Sequence, residues 1–390
     1  MRPIRTDGTN PFANHTVRVR LPGMVDDLLE SFPELAPPQR AALQDLRNDL
    51  SRDARLDMFP PPAPDHDDWS RYLDDHAARL APARPSWQNA EWFLAEHFFF
   101  RRIIAAVRYW ETGLDPFEPA KRAERTSARL AQQLDSLLED LDPEARGKES
   151  LLFALWGNRM DLSHGDSSAI AAGAPDHDDG SLIADDSAQA LELLHRARRS
   201  VHIICDNAGT ELAGDLCFAD WLFESGCKQV YLHVKFHPTF VSDATARDVL
   251  VLVDDLAGER ASDERRALGT RLRAAFRGGR LRVIPDLFWN SPLFFDSLPS
   301  RLKLPFGAAD LIVIKGDMNY RRLLRDTVVP ASDPLDKWAA TLPAPVILLR
   351  TMKGDPLAGV AAARLQALEG NEPGWRVAGQ HGVIQLLRSG

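Results

Sequence analysis

From residue 182 onward, short apolar runs alternate with stretches of helical period, a pattern that predicts a layered α/β domain around a mainly parallel sheet. Strands are expected at 201–205, 229–234, 281–284, 311–314 and 346–349, with helices at 191–197, 212–225 and 263–276. A further helix opens at Ser242-Asp243-Ala244-Thr245 and runs through Leu252, and Trp375-Arg376-Val377 with Val383-Ile384-Gln385-Leu386 reads as a closing hairpin. Upstream the period is helical throughout. Ala41, Leu43, Leu46 and Leu50 place a helix at 38–53, Phe59 to Pro64 forces an extended connector, and a second helix follows at 67–80. Residues 87–110 are apolar nearly all round, which predicts one long buried helix in which Glu96, Arg101 and Arg102 pair within the helical layer. Another helix is expected at 119–140 and a short apolar segment at 149–156. The first 30 or so residues, rich in Pro, Asn and Arg, show no period and are expected to run over the surface or cover a neighbouring element. Residues 165–180 carry Ser, Ala, Gly, Asp and His without apolar spacing. The expected organisation is therefore an all-helical N-terminal domain at 1–164, a flexible linker or loop at 165–181, and a three-layer α/β/α domain at 182–390 that holds the chemistry.

Composition narrows the partners. At 390 residues and 44% hydrophobic, the chain can fill the cores of two such domains. A net charge of −9 argues against nucleic acid and against a polybasic membrane anchor. No apolar run reaches the length of a bilayer span, and Met1-Arg2-Pro3 has no apolar signal region behind it, so a cytoplasmic location is the default expectation. Cys205, Cys217 and Cys227 lack a CxxC spacing and fall in or beside expected core elements, which marks them as buried thiols rather than disulfide or zinc partners.

Polar residues of matching chemistry then gather at expected strand ends. Asp206 and Asn207 end one apolar run, Asp243 follows the next, Lys315 and Asp317 end another, and Arg350 and Lys353 end the last. Taken singly, each has a plain structural use: Asp and Asn make turns and cap helices, and Lys or Arg sits at solvated strand ends. Asn158 and Asp161, in the cluster after Gly157, stop or cap a helix equally well. Together they suit one task, because carboxylates and an amide oxygen hold a hard divalent ion while basic groups hold a phosphate.

The same residues resemble a known family, the damage-control phosphatases with the acidic-residue-methyltransferase-like metal-binding domain. The resemblance is carried by Trp156-Gly157-Asn158-Arg159 with Asp161-Leu162-Ser163, Asp206-Asn207-Ala208-Gly209-Thr210-Glu211-Leu212, Phe240-Val241-Ser242-Asp243, Lys315-Gly316-Asp317 with Asn319-Tyr320-Arg321, and Arg350-Thr351-Met352-Lys353. The last is similar to the RTxK motif of the subfamily that includes eukaryotic sugar-phosphate phosphatases. These motifs stand in the family's order from about residue 85 to the end.

By position, the resemblance implies that Asp206, Asn207 and Asp243 ligate a divalent metal (Mn²⁺, Mg²⁺, Co²⁺ or Ni²⁺). It implies that Asp317, Met318, Asn319, Tyr320, Arg321 and Lys353 contact a small phosphorylated metabolite such as fructose 1-phosphate, and it agrees with a helical N-terminal domain and an α/β/α domain. At His97-Phe98-Phe99-Phe100 the chain departs from the Cys- and Tyr-bearing segment of relatives, which bears on substrate choice. The expected reaction is phosphomonoester hydrolysis in which Lys315, Arg321 and Lys353 offset charge on the transferred group, with N–H groups after Asn207 as further donors. Asp206 or Asp317 serves as base or nucleophile, water activated by the metal being the favoured attacking group. Two other readings stand beside it: an S-adenosylmethionine-dependent protein-glutamate O-methyltransferase, as some family members have been described, and a non-catalytic metabolite-binding protein. The first would want a Gly-rich strand-to-helix loop, of which Ala208 to Gly214 is a weak imitation.

Overall fold

The computed structural model describes residues 2–59, 63–139, 142–157, 181–339, 341–372 and 374–388. Asn158, Asp161 and the expected linker up to residue 180 lie outside the described residues. By contact the chain divides into two compact units: 1–118 with 238–240 and 290–292, and 119–237 with 241–289 and 293–390. Residues 119–156 thus group with the sheet, whereas the sequence reading sets the division at 164.

The first unit is helical, with α1 (Leu21–Ser31), α2 (Pro37–Ser51), α3 (His66–Leu80) and α4 (Trp92–Ala106). Its opening residues correct the expectation of a surface segment. A helix at Pro11–His15 and a π-helical turn at Thr16–Arg20 lead into α1, and Ala13, Val17, Leu21 and Val25 are buried. Asn10 and Pro11 make the start of this helical run: Asn10 accepts from the Ala13 N–H at 2.9 Å, and Pro11 sits in the first turn, where a missing N–H costs nothing. The long helix expected at 87–110 is shorter, because Arg108 takes a left-handed φ of 56° and breaks it after α4. Within α4, Arg101 makes a bidentate pair with buried Asp65 at 2.7 Å and lies 4.0 Å from the Phe59 ring centroid. His97 to Phe100 are all buried, and Phe98 packs among Phe59, Trp69 and Trp87.

The second unit is a three-layer α/β/α fold. Helices α5 (Glu118–Arg125, its first residue in the other unit), α6 (Ala128–Leu138) and α7 (Pro143–Trp156) precede the sheet. The single helix expected at 119–140 is split where Ser127 accepts from the Leu130 N–H and starts α6. The sheet comprises β1 (Leu182–Asp185), β2 (Ser200–Ile204), β3 (Gln229–Lys235), β4 (Leu281–Asp286), β5 (Leu311–Lys315), β6 (Val346–Thr351) and β7 (Gly382–Leu387). Their order is β1-β7-β6-β5-β2-β3-β4. Strands β6, β5, β2, β3 and β4 are parallel, and β7 returns antiparallel to β6. The expected closing hairpin is absent: residues 375–377 form turns, and β7 pairs with β6 on one side and β1 on the other.

Strands β2, β5 and β6 are buried on both faces, which explains why Ile203-Ile204, Leu311 to Ile314 and Val346 to Leu349 read as unbroken apolar runs. On one face, Val201, Ile203, Leu311, Val313 and Leu349 pack with α9 (Thr210–Glu224), α10 (Ala246–Leu256) and α11 (Asp263–Arg277). On the other, Ile204, Ile312, Ile314 and Leu348 pack with α12 (Ser300–Ala308), α13 (Gly316–Leu323) and α14 (Ala362–Asn371). Chain order runs β2, β3, β4 toward one edge and β5, β6 toward the other, so the topology reverses between neighbours β2 and β5. Ligands of open α/β sheets collect beside the strand C-termini at such a reversal. All three cysteines are buried free thiols, and no helix among the described residues is long and apolar enough to cross a membrane.

Candidate functional site

Four neighbouring parallel strands, β6, β5, β2 and β3, deliver the polar residues to one end of the sheet. At the end of β2, Asp206 and Asn207 are buried, and their backbone is tied to the segment after β3. The Asp206 carbonyl accepts from the Ala244 N–H at 2.7 Å, the Ala208 N–H reaches the Ser242 carbonyl at 2.7 Å, and Asn207 and Asp243 form an isolated antiparallel bridge. The expected helix start at Ser242 is thereby corrected: the segment is extended, and α10 begins only after Thr245 caps Asp248. Holding that segment in place demands an unusual backbone, since Val241, a β-branched residue, has a φ of +65°.

The side chains continue the lattice. Ser242 Oγ donates to Asn207 Oδ1 at 2.6 Å, while Asn207 Nδ2 donates to Glu211 Oε2 at 2.9 Å and more weakly to Asp206 Oδ2 at 3.3 Å. Asp243 pairs with Lys235 at 3.1 Å. Behind Asn207, Glu211 Oε1 lies 2.9 Å from the ammonium of Lys315, and Asp215 Oδ1 takes the same ammonium at 2.5 Å. Burial pushes the Asp215 carboxyl up to about 6, the Lys315 charge opposing that rise and Glu211 adding to it. Burial works against the Lys315 cation, but Asp215 and Glu211 outweigh it and hold its pKa above the usual range. His202, in the middle of β2, stacks on Tyr231 and touches His233, and burial pushes it down to about 4, as befits a neutral core histidine.

After β5 the chain turns at Gly316, with φ +82°, straight into α13. The turn brings the Gly316 Cα against Asp206, so closely that an added Cβ would overlap the carboxylate and stand 2.7 Å from the Asp206 Cβ. Asn319, one turn along α13, donates to the Lys315 carbonyl at 2.9 Å and to Cys205 O at 3.4 Å, and its buried Oδ1 has no hydrogen-bond partner among the described residues. Asp317 Oδ1 receives Arg350 Nε at 2.8 Å, Arg350 Nη2 at 2.6 Å and the Lys353 N–H at 3.1 Å. Arg350 also donates to the Gly354 and Pro356 carbonyls and lies 4.3 Å from the Tyr320 ring centroid, so its donors are committed to shaping the 350–356 turn. Tyr320 bonds the Ala358 carbonyl and Gln385 Oε1, and Arg321 pairs with Asp326 at 2.8 Å. Met318 and Lys353 are buried beside these groups in sequence.

Burial works to raise the Asp317 pKa, but the charges of Arg350 and Arg321 and the hydrogen bonds to it prevail and hold the carboxyl below the ordinary carboxylate range. Stability from this interaction is therefore complete above the unfolded value, near 3.9, and is lost as pH falls through the lower folded value. Urea midpoints of the wild type and Asp317→Asn, measured from about pH 5 to about pH 2, should converge toward the acid end. A gap independent of pH would contradict this assignment.

The geometry thus brings together Asp206, Asn207, Asp243, Lys315 and Asp317, with Arg350 and Lys353 attached through Asp317; Asn158 and Asp161 are outside the described residues. One expectation needs correction. The N-terminus of α9 is not a vacant anion site, because the Thr210 N–H donates at 2.8 Å to the carboxylate of Glu124 from α5, which also fills the space beside Gly209. Glu124, Glu211, Asp215, Ser242 and Gly316 are the residues that sequence reasoning left without a role. Glu211 and Asp215 were legible in one respect: acids spaced i, i+4 on a helix of otherwise apolar character have to share a buried partner.

As a donor set, two buried carboxylates and an amide oxygen at adjoining strand ends fit a hard, oxygen-preferring divalent ion such as Mg²⁺ or Mn²⁺. The profile of the damage-control phosphatase ARMT1-like domain matches residues 16–368. The damage-control phosphatase ARMT1 of Danio rerio is 28% identical, with 96% of this chain and 94% of that protein covered. Its Homo sapiens counterpart is 27% identical, with 88% and 85% covered. A solved DUF89 family protein from Pyrococcus horikoshii superposes with a TM-score of 0.47 and 16% identity, covering 95% of this chain and 98% of that one.

Proposed function

Because the chain belongs to the damage-control phosphatase ARMT1-like domain family, we propose that it is a metal-dependent phosphatase of small phosphorylated metabolites, sugar phosphates among them. The observation that carries the reading is the convergence of Asp206, Asn207, Asp243, Lys315 and Asp317 at the ends of adjacent strands where the sheet topology reverses.

In this reading Asp206, Asn207 and Asp243 hold the ion, the Asn207 amide being oriented by Ser242 and Glu211. The ion, when bound, supplies Lewis-acid polarisation of a phosphoryl oxygen. Lys315, kept protonated, sets a fixed positive charge beside the strand ends for the transferred group. Asp317 is a poor proton acceptor, because Arg350 keeps its carboxyl acidic. Its part is to anchor the start of α13 and the 350–356 turn, so that Met318, Asn319, Tyr320, Arg321 and Lys353 can frame the substrate. That leaves Asp206 as the carboxylate that acts as base or nucleophile. Arg350, with its donors committed inside the fold, is assigned to positioning rather than to phosphate.

Phosphate release measured over a panel of sugar and nucleotide monophosphates with Mn²⁺, and again with chelator, tests the reading. Release from sugar phosphates is expected, with loss on chelation. Turnover that survives chelation would remove the metal from the reaction, and no release from any substrate would reject the hydrolase.

A further inference from the structure

We propose that Asp215 is a positioning residue for this reaction: from α9 it fixes the ammonium of Lys315 in direction, so that its remaining N–H donors serve the phosphoryl group. The assignment rests on the phosphatase reading. Asp215 is fully buried, on a helix whose residues from Thr210 to Leu222 are all buried. A carboxylate there contributes nothing to solubility and costs desolvation, so its value lies in what it holds. It holds Lys315 Nζ at 2.5 Å, and Glu211, one turn earlier on the same face of α9, holds the same atom at 2.9 Å.

An ammonium has three N–H donors. Asp215 engages one of them by hydrogen bond and Glu211 holds the ammonium as an ion pair from the same helix, so the remaining donors are confined in direction and the flexible lysine stem gives up its rotamer freedom before any ligand arrives. Lys315 ends β5 immediately before Gly316, and Gly316 abuts Asp206, so the clamp acts on a residue that adjoins the proposed metal corner in the chain. Glu211 also carries the amide of Asn207, and its loss would disturb two groups at once. Asp215 carries no such second load on the Asn207 amide: its partners are the Lys315 ammonium and the Cys205 thiol, which makes it the better residue for probing the lysine.

The test is a double-mutant cycle on Asp215→Asn and Lys315→Met in the full chain. It reads orthophosphate affinity by calorimetry with Mn²⁺ present, Mn²⁺ affinity, and phosphate release from p-nitrophenyl phosphate. Asp215→Asn is expected to weaken orthophosphate binding and lower kcat/KM by about 10–100-fold, with Mn²⁺ affinity unchanged. Added to Lys315→Met, it should change neither phosphate readout by more than about twofold.

Multiplying losses in the double variant would mark Asp215 as a general structural residue and overturn the proposal. So would wild-type orthophosphate affinity in Asp215→Asn, or a wild type that binds no orthophosphate. If Asp215→Asn fails to fold, Asp215→Glu and the paired apolar replacement Asp215→Leu/Lys315→Met decide: the first should keep part of the phosphate affinity that the second loses, and equal loss overturns the assignment. A wild type that binds orthophosphate but hydrolyses no ester rejects the hydrolase reading alone, and the binding cycle still judges Asp215.

Discussion

Asp206→Ala is expected to reduce Mn²⁺-dependent phosphate release by at least roughly a thousand-fold, the upper part of the range for losing one preorganised charge-stabilising group, while leaving the fold intact. The two effects separate because Asp206 is held by its backbone. Its carbonyl accepts from Ala244, the neighbouring Asn207 is bridged to Asp243, and β2 is paired on both sides, so removing the carboxylate leaves that lattice in place. Melting followed by circular dichroism in chelator should therefore match the wild type. With Mn²⁺ added, the wild type should gain thermal stability, since an ion that binds only the folded state stabilises it by mass action, and the variant should gain none. Asp206→Asn keeps the shape and should retain part of the metal response. If Asp206→Ala turned over normally, or if Mn²⁺ raised its melting temperature as it does for the wild type, the ion would have to be held elsewhere.

The parts of this fold that announced themselves were those where burial dictates composition. Strands β2, β5 and β6 are covered on both faces and show as continuous apolar runs, and the polar residues that end them fall at the topological reversal. Strand β1 and helix α12 gave no such cue, being short, part-exposed or, in α12, interrupted by Pro305. At the N-terminus a composition rich in Pro, Asn and Arg without apolar period hid a helix whose start is made by Asn10 and Pro11. Within the site, ligand-like residue types were readable but their pairings were not. Which lysine meets Asp215, or that Arg350 is spent on Asp317, depends on contacts between residues 100 and 33 positions apart. The places of those ligand-like residues at strand ends supplied the grouping, and the motif resemblance supplied the roles.

Gly316→Ala should be damaging to both stability and activity, although it adds a single methyl group. At φ +82° an alanine pays the strain of a left-handed backbone, and its Cβ would stand in the space of the Asp206 side chain. Strain and overpacking together should cost about 2–5 kcal/mol. The overlap cannot be relieved by swinging a flexible tip, because the Asp206 Cβ is itself only 2.7 Å away and the Asp206 backbone is bonded to Ala244. Either the carboxylate moves or the start of α13 does, and a displacement of about 1 Å at a reacting group is enough for roughly a hundred-fold loss of rate. Urea denaturation and Mn²⁺-dependent phosphate release measure the two effects on one preparation. The double variant Asp206→Gly/Gly316→Ala then separates their causes: with the overlap gone it should recover most of the stability, leaving the cost of the φ angle, and none of the activity. A single variant as stable and active as the wild type would mean that Asp206 does not need the close approach of Gly316, and the argument that this contact sets the carboxylate's position would fall.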